Sequence, residues 1–274
     1  MKSKRTREII RSPFEILEEA THLLRTAPGT ILATYYCGAV PFVLGMLYFW
    51  TEMSRSPFAS QDLAGAALVL AILFFWMKTL QAMFSRQLRA VLASAPLPRW
   101  NIRQVLRVLY CQAVIQPTGL FILPLVLVPA LPFPWAYSFY QNVTALSDGE
   151  STEVIPLIRR AWKQSAYWAM QNHLVVLIAT AFAFFVLLNW LLLTTTLPDL
   201  VKTLFGIETV FSRTPSAMLN STTLTAVVGL TYLSVDPILK SAYAVRCFYG
   251  ESMQSGEDLK AEIKRFEDLR RVSA

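Results

Sequence analysis

The chain has 274 residues, of which 54% are hydrophobic and only 16% charged, and its mean hydropathy is +0.43. This composition excludes an ordinary soluble globular domain with a wet surface. The net charge is +7, but the basic residues are spread between apolar stretches rather than gathered on one module, so no nucleic-acid partner is expected.

The N-terminal segment, residues 1–29, is polar and precedes the first long apolar stretch. It has no short apolar core followed by a small-residue cleavage site, so we expect the N-terminus to be retained. Ser12 and Glu15 stand at capping-box spacing around Pro13, a residue favoured at the first helical position. Apolar residues then recur at helical spacing and predict an amphipathic helix on the inner membrane surface: Phe14, Leu17, Ala20 and Leu24.

Six apolar stretches are candidates for crossing the bilayer, because about 20 residues of helix cross about 30 Å of hydrocarbon. They predict an all-α fold class, a polytopic membrane bundle of about six transmembrane helices. The fourth stretch is short and carries several polar residues, so full crossing and re-entry both stay open. The six stretches are residues 30–50, 63–83, 106–127, 130–146, 173–196 and 219–240.

The distribution of basic residues favours six crossings with both termini inside. In that topology the outer segments carry only Arg55, Lys202 and Arg213, and Lys78 lies within the second stretch. All other lysines and arginines fall on the inner side. If the fourth stretch failed to cross, the orientation of every later segment would be reversed. The basic residues would then be divided almost evenly between the two sides of the membrane. Because Lys and Arg prefer the cytoplasmic side, we expect an N-in/C-in topology.

Proline interrupts the connection between the third and fourth stretches. Positions 124, 129, 132 and 134 are all proline. Because proline removes backbone donors and blocks a continuous helix, we expect a tight, broken hairpin at this turn.

Two further segments have the amphipathic pattern of interfacial helices. Residues 153–168 would lie on the inner side and residues 198–211 on the outer side. Both could bind partners, although a membrane-interface position is the commoner outcome for such helices.

Small residues follow one face of the first stretch at a four-residue interval. A stripe of this kind lets a second helix approach closely. It indicates either packing within the bundle, which we favour, or self-association of two chains. The stripe consists of Gly29, Ala33, Cys37, Pro41 and Gly45.

A candidate polar site lies near the inner end of the last stretch, at Asp236, Pro237, Lys240 and Arg246. Charged residues inside apolar spans cost free energy and therefore ask for an explanation. Asp236 and Lys240 are one helical turn apart, so they can neutralise each other. Two interpretations stay open: a salt-bridged kink at the membrane edge, or a proton or ion site in a helix weakened by Pro237.

The sequence contains no motif that predicts catalysis or a bound cofactor. It has two histidines, His22 and His173, and neither has Cys, Asp or Glu partners at metal-ligand spacing. Glycine-rich phosphate loops and the common hydrolase signatures are also missing from the sequence. We therefore expect neither an enzyme nor a metal or cofactor site.

The C-terminal part of the chain contains a recognisable sequence motif. It runs from Tyr243 to Leu259, reads YAVRCFYGESMQSGEDL, and directly follows the stretch that contains Pro237. Upstream, ALSDGE at 145–150 is followed by the basic, tryptophan-containing IRRAWK at 158–163. These motifs resemble the membrane domain found next to glycerophosphoryl diester phosphodiesterases and in related bacterial membrane proteins. The resemblance covers about residues 100 to 265. It implies a six-helix membrane module without a catalytic centre, because the activity in that family belongs to a separate soluble domain.

These observations divide the chain into an N-terminal amphipathic segment (1–29), a membrane domain (30–248) and a charged cytoplasmic helix or tail (249–274). The first functional hypothesis is a non-enzymatic scaffold or accessory subunit of the bacterial cytoplasmic membrane, with the lipid bilayer and a membrane-protein partner or a second copy as its partners. The alternative is a small transporter or channel that uses the proline-broken hairpin and the Asp236/Lys240 site.

Overall fold

The structure is a computed structural model that describes residues 11–129, 133–208, 220–256, 259–260 and 262–263. The predicted all-α fold class is confirmed, since the described residues form helices and no strands. Eight helices are described: α1 (Pro13–Thr26), α2 (Gly29–Arg55), α3 (Ala59–Leu92), α4 (Ile102–Leu127), α5 (Phe133–Leu146), α6 (Val154–Ala166), α7 (Ala169–Phe205) and α8 (Ser221–Ser255).

Five of these helices, α2, α3, α4, α7 and α8, are long and apolar enough to cross a membrane. Their large exposed apolar side chains are the expected surface of a helical membrane bundle. The predicted fourth stretch, 130–146, differs from the other five. Its described part is α5, whose 14 residues extend only about 21 Å, less than the hydrocarbon thickness.

Two proline-containing helices are longer than the sequence indicated. The predicted outer amphipathic helix at 198–211 is, as far as Phe205, the end of α7, which continues through Pro198. In the turn before this proline, the side chains of Thr195 and Thr196 donate to the carbonyls of Leu191 and Leu192. Similarly, α8 runs without a break through Pro237. Residues 209–211 of the predicted helix lie outside the described residues.

Helix α1 begins with the predicted capping box. The Ser12 hydroxyl accepts from the backbone N–H of Glu15 at 3.2 Å, and the Glu15 carboxylate accepts from the backbone N–H of Ser12 at 2.9 Å. The buried face differs in part from the predicted one. Ile16, Ala20 and Leu23 are buried, whereas Phe14 is 69% exposed. The packed stripe therefore follows an i, i+4, i+7 register that begins two residues after Phe14.

Contacts divide the chain into two compact units. The first unit comprises Met1–Gly38, Phe75–Leu177 and Ile238–Ala274, and the second comprises Ala39–Phe74 and Ile178–Pro237.

Close helix approaches hold the second unit together. A Cβ added at Gly45 would overlap the side chain of Leu73, and one at Gly229 would lie 2.7 Å from Val43 Cγ1. Gly45 belongs to the predicted stripe of small residues, so this part of the stripe serves packing within the chain.

In the first unit, α4, α5 and α6 form consecutive antiparallel neighbours. Gln116 of α4 donates from Nε2 to Thr144 Oγ1 of α5 at 3.1 Å, and Asn142 of α5 donates from Nδ2 to Ser165 Oγ of α6 at 3.0 Å. The apolar core that these three helices share with α8 consists of Cys111, Ile115, Tyr140, Val143, Ala145, Leu146, Leu157, Ala161 and, from α8, Cys247. Burial of this core is the main favourable term for the three-helix layer.

The segment that follows α6 lies close to the beginning of α5. Asn172, in the first turn of α7, donates from Nδ2 to the carbonyl oxygen of Pro134 at 2.6 Å. The rings of Trp135 and Trp162 also meet edge to face, with centroids 4.2 Å apart. The first turns of α5 and α7 are therefore neighbours.

Gly149, in the link between α5 and α6, offers a test of this packing. Its φ is +69°, and an added Cβ would lie 2.8 Å from the carbonyl oxygen of Gln104. Gly256 has a similar φ of +65° but no atom within 4 Å of an added Cβ. Both alanine variants pay the left-handed backbone cost of about 1 kcal/mol. We expect Gly149→Ala to lose at least about 1 kcal/mol more, because the clash is with backbone.

The comparison can be made by thermal unfolding of the purified protein in detergent. Equal melting temperatures for the two alanine variants would contradict the close approach of residue 149 to α4.

Candidate functional site

All four residues of the predicted polar site are buried and lie on α8, but they divide between the two units. Asp236 and Pro237 belong to the second unit, and Lys240 and Arg246 belong to the first. The predicted neutralisation of Asp236 by Lys240 stays a prediction. The site described below is the one that the first unit builds around Arg246 and Lys240.

Arg246 is only 3% exposed and donates hydrogen bonds to three protein acceptors. Its Nε donates to Gln171 Oε1 at 3.2 Å, its Nη1 to Asn172 Oδ1 at 3.0 Å, and its Nη2 to the carbonyl oxygen of Tyr167 at 3.2 Å. The guanidinium also lies 5.4 Å from the centroid of the Tyr243 ring, within cation–π range. Among the described residues, no carboxylate forms an ion pair with it.

The acceptors of Arg246 are themselves fixed by further hydrogen bonds. Asn172 Oδ1 also accepts from the Tyr243 hydroxyl at 2.8 Å, and Asn172 Nδ2 reaches the carbonyl of Pro134. Gln171 Nε2 donates to the carbonyl oxygen of Arg11 at 2.6 Å. We call Arg246, Tyr243, Gln171 and Asn172 the Arg246 network. It connects α8, the start of α7, the start of α5 and the segment before α1.

Lys240, which is 2% exposed, connects α8 to the predicted proline hairpin. Its Nζ donates to Gln141 Oε1 of α5 at 2.6 Å. The neighbouring residue Asn142 accepts at Oδ1 from the Cys247 thiol at 3.4 Å and donates to the Ala161 carbonyl at 3.3 Å. The structure therefore brings together two features that the sequence presented separately, the hairpin and the cation of the last helix.

A second polar assembly lies at the end of α8 and contains four alternating charges. Arg89 pairs with Asp148 and, at 3.0 Å, with Glu251. Arg160 pairs with the same two carboxylates, Asp148 at 3.4 Å and Glu251 at 2.6 Å. These four residues form a closed ionic ring that joins α3, the α5–α6 link, α6 and α8.

The ionic ring favours the charged form of Arg160. Burial by itself would lower the pKa of Arg160, but the hydrogen bond to Glu251 and the negative charges of Glu251 and Asp148 outweigh it and raise the pKa above its ordinary value. Arg89 and Asp148 are the more enclosed pair, with side-chain exposures of 13% and 17%. Ion pairs this sheltered depend less on salt than pairs on an open surface.

Two clefts open near these assemblies. The smaller one, of about 460 Å³, lies between α6 and the end of α8. The larger one, of about 600 Å³, lies beside α1 and is here called the α1 cleft. Its lining combines charged, polar and apolar side chains: Arg11, Glu19, His22, Leu23, Thr26, Val91, Leu92, Ser94, Phe248, Tyr249 and Glu262.

One wall of the α1 cleft is held by a three-residue contact. Arg11 pairs with Glu19, and the Tyr249 hydroxyl donates to the same carboxylate at 2.6 Å. The guanidinium of Arg11 stacks 4.1 Å from the centroid of the Tyr249 ring. The wall is therefore preformed, as is typical of binding clefts.

The two histidines lie apart, His22 in the α1 cleft and His173 in the first turn of α7. Within the described ranges, no group of three or more His, Cys, Asp and Glu side chains is arranged to hold a metal ion. The chemistry that the site offers is hydrogen bonding and charge pairing by fixed side chains.

Comparisons with protein-family models, with curated proteins and with solved structures find no match to this chain.

Proposed function

We propose that this protein is a non-enzymatic scaffold or accessory subunit of a membrane complex, with both termini on the inner side of a bacterial cytoplasmic membrane. Its described polar assemblies, the Arg246 network and the ionic ring, hold helices in place, and the α1 cleft offers a surface to a partner. The partner would be another membrane protein with a segment that reaches the α1 cleft.

The Arg246 network is the observation that carries this proposal. A site that moves ions or protons has to exchange its polar partners during each cycle. Arg246, by contrast, donates to three protein acceptors on the link before α7 and on its first turn. A buried cluster joined by this many hydrogen bonds favours one rigid arrangement of helices, which suits a scaffold.

The α1 cleft supplies a surface for the partner. It is wide enough for a few side chains, and one wall is fixed by the contacts among Arg11, Glu19 and Tyr249. Glu262 and His22 add polar groups to a lining that also includes Leu23 and Phe248. Mixed lining of this kind fits a peptide segment with both apolar and polar side chains.

The resemblance to the membrane domain beside glycerophosphoryl diester phosphodiesterases supports the same proposal. In that family the catalytic activity belongs to a separate soluble domain, so the resemblance implies a membrane module without a catalytic centre, in agreement with a non-enzymatic role. The motifs that carry the resemblance include Arg246 and Arg160, which here take part in the Arg246 network and the ionic ring.

The test is site-specific photocrosslinking in intact cells that express the full chain. A photoreactive amino acid replaces His22 in the α1 cleft, and a control chain carries it at the exposed Arg103 at the start of α4. We expect one discrete crosslinked product from position 22 and none of that size from position 103. Mass spectrometry should identify a membrane protein that also co-purifies with the unmodified chain.

Two outcomes would contradict the proposal. The first is that position 22 yields only the unlinked chain under conditions in which known membrane complexes survive. The second is a product that contains only two copies of this chain, which would indicate self-association instead.

The alternative function, a small transporter or channel, is favoured by one specific observation. Lys240 binds Gln141, so the last helix and the proline hairpin share a buried polar contact. The two hypotheses differ in the role of the Asp236 carboxylate, because a flux that depends on this group is expected only of a transporter.

A further inference from the structure

The cleft between α6 and the end of α8, here called the α6 cleft, has a surplus of positive charge. It is lined by Arg160, Lys163, Tyr167, Glu251 and Ser255, among others. Its only described carboxylate, Glu251, is shared by the guanidinium groups of Arg89 and Arg160 in the ionic ring. The charge of Glu251 is therefore already balanced before any ligand arrives.

Two donors of the α6 cleft stay available for a ligand. Lys163 takes part in no ion pair within the described residues, and its Nζ lies 5.9 Å from the centroid of the Tyr167 ring. Arg160 uses Nε and Nη2 for Glu251 and Asp148, which leaves its Nη1 without a partner in the described structure. A guanidinium nitrogen and an ammonium on one helix face suit the oxygens of a phosphate group.

The position of the α6 cleft along the chain indicates that the cleft lies at the membrane surface. Tyr167 comes two residues before the first residue of α7, one of the five helices able to cross the bilayer. On the neighbouring face of α6, Ile155 is 65% exposed and Trp162 is 54% exposed. Exposed Trp and Ile beside a row of basic residues are typical of a helix that lies in the membrane interface.

We propose that the α6 cleft binds the headgroup of an anionic phospholipid, with the phosphodiester oxygens accepting from Lys163 Nζ and Arg160 Nη1. The lipid tails would then lie on the side of Trp162 and Ile155. This proposal is independent of the scaffold function, because it concerns a lipid ligand and a different cleft. Inorganic phosphate carries the same oxygen chemistry, so the experiment has to separate the two sources.

The experiment measures ligand-dependent thermal stability of the full chain in detergent micelles. The probes are dihexanoyl phosphatidylglycerol, dihexanoyl phosphatidylcholine and inorganic phosphate, each titrated separately. A ligand that binds only the folded state raises the melting temperature with concentration, which gives an apparent dissociation constant. We expect phosphatidylglycerol to bind and the other two probes to give much smaller shifts.

Variants assign the binding to the cleft. Lys163→Gln should weaken phosphatidylglycerol binding about fivefold, the loss typical for one basic residue near an anionic headgroup. Lys163→Arg should retain the binding, because the charge and donors remain. Arg103→Gln is the matched control, since it removes an exposed basic residue of α4 outside the cleft, and it should bind like the wild type.

Lys163 is solvent-exposed, so Lys163→Gln should melt like the wild type without lipid. Equal affinity of the wild type and Lys163→Gln for phosphatidylglycerol would overturn the proposal. A shift with phosphatidylcholine as large as that with phosphatidylglycerol would do so as well. An equal shift with inorganic phosphate would show that the lipid is not the ligand.

Discussion

Replacing Arg246 with alanine is expected to lower the free energy of unfolding by about 3 kcal/mol, one of the largest effects that a single substitution in this chain should have. The substitution removes a buried guanidinium that donates to Gln171, Asn172 and the carbonyl of Tyr167. Loss of the donor to a buried acceptor such as Gln171 Oε1 costs about 1–3 kcal/mol, although Asn172 Oδ1 keeps the Tyr243 hydroxyl, and the vacated volume adds a packing loss. Part of this cost is offset because the buried charge itself no longer has to be desolvated.

The matched control is Arg159→Ala, which removes the same side chain from an exposed position of α6. It should change stability by less than about 0.5 kcal/mol, as is usual for surface substitutions. Both variants can be compared by thermal unfolding in one detergent. A melting temperature of the Arg246 variant within error of the control would mean that the network does not hold the helices together.

A cysteine introduced at Val128 should stay unlabelled when a membrane-impermeant maleimide is added outside intact cells. Val128 is 87% exposed and lies at the end of α4, where six crossings would place it on the outer side. The structure instead favours a position of Val128 that is not exposed on the outer side. Because α6 returns to the start of α5 and α7 begins there, an outer location would require α6 to carry Arg159, Arg160 and Lys163 through the hydrocarbon layer.

We therefore expect four full crossings, by α2, α3, α7 and α8, and a hairpin of α4 and α5 that returns to the inner side. The number of crossings is even, so both termini stay inside. Most of the basic residues therefore remain on the inner side, as they prefer. Failure of the fourth stretch alone to cross would invert everything after it. A hairpin that enters and leaves on the same side preserves the charge pattern equally well.

The labelling experiment needs a background without reactive native thiols. Cys37 is exposed and should be replaced by serine, whereas Cys111 and Cys247 are buried. Ser60→Cys, at the start of α3 next to the α2–α3 connection, serves as the positive control. Labelling of Val128→Cys to the same extent as Ser60→Cys would restore the six-crossing topology.

Hydropathy predicted the long helices well because burial in lipid depends on side chains that are close in sequence. The first predicted stretch, 30–50, corresponds to α2, and the capping box of Ser12 and Glu15 is present as expected. Hydropathy was a poorer guide to 130–146, since α5 is apolar on average but buries polar residues such as Gln141 and Asn142 against other helices. The predicted cytoplasmic helix or tail at 249–274 begins within α8, which ends at Ser255, and most of its remainder lies outside the described residues.

The candidate site was predictable only in part. Lys240 and Arg246 could be singled out, because lysine and arginine near an apolar helix are unusual in any context. Their partners Gln141, Gln171 and Asn172 were missed, since isolated amides in distant helices form no pattern in the sequence. The ionic ring was missed for a similar reason. In the sequence its arginines indicate only the inner side of the membrane, and no pattern pairs them with Asp148 and Glu251.

The ionic ring also has a consequence for the order in which the protein is assembled during synthesis. Arg89, Asp148 and Arg160 emerge from the ribosome well before Glu251. Until α8 has been inserted, two guanidinium groups must share one carboxylate, and their mutual repulsion opposes docking of α6 near the end of α3. The last helix thus supplies the charge that completes the ring, so nascent chains truncated before Glu251 should remain loosely packed and be preferred substrates of membrane proteases.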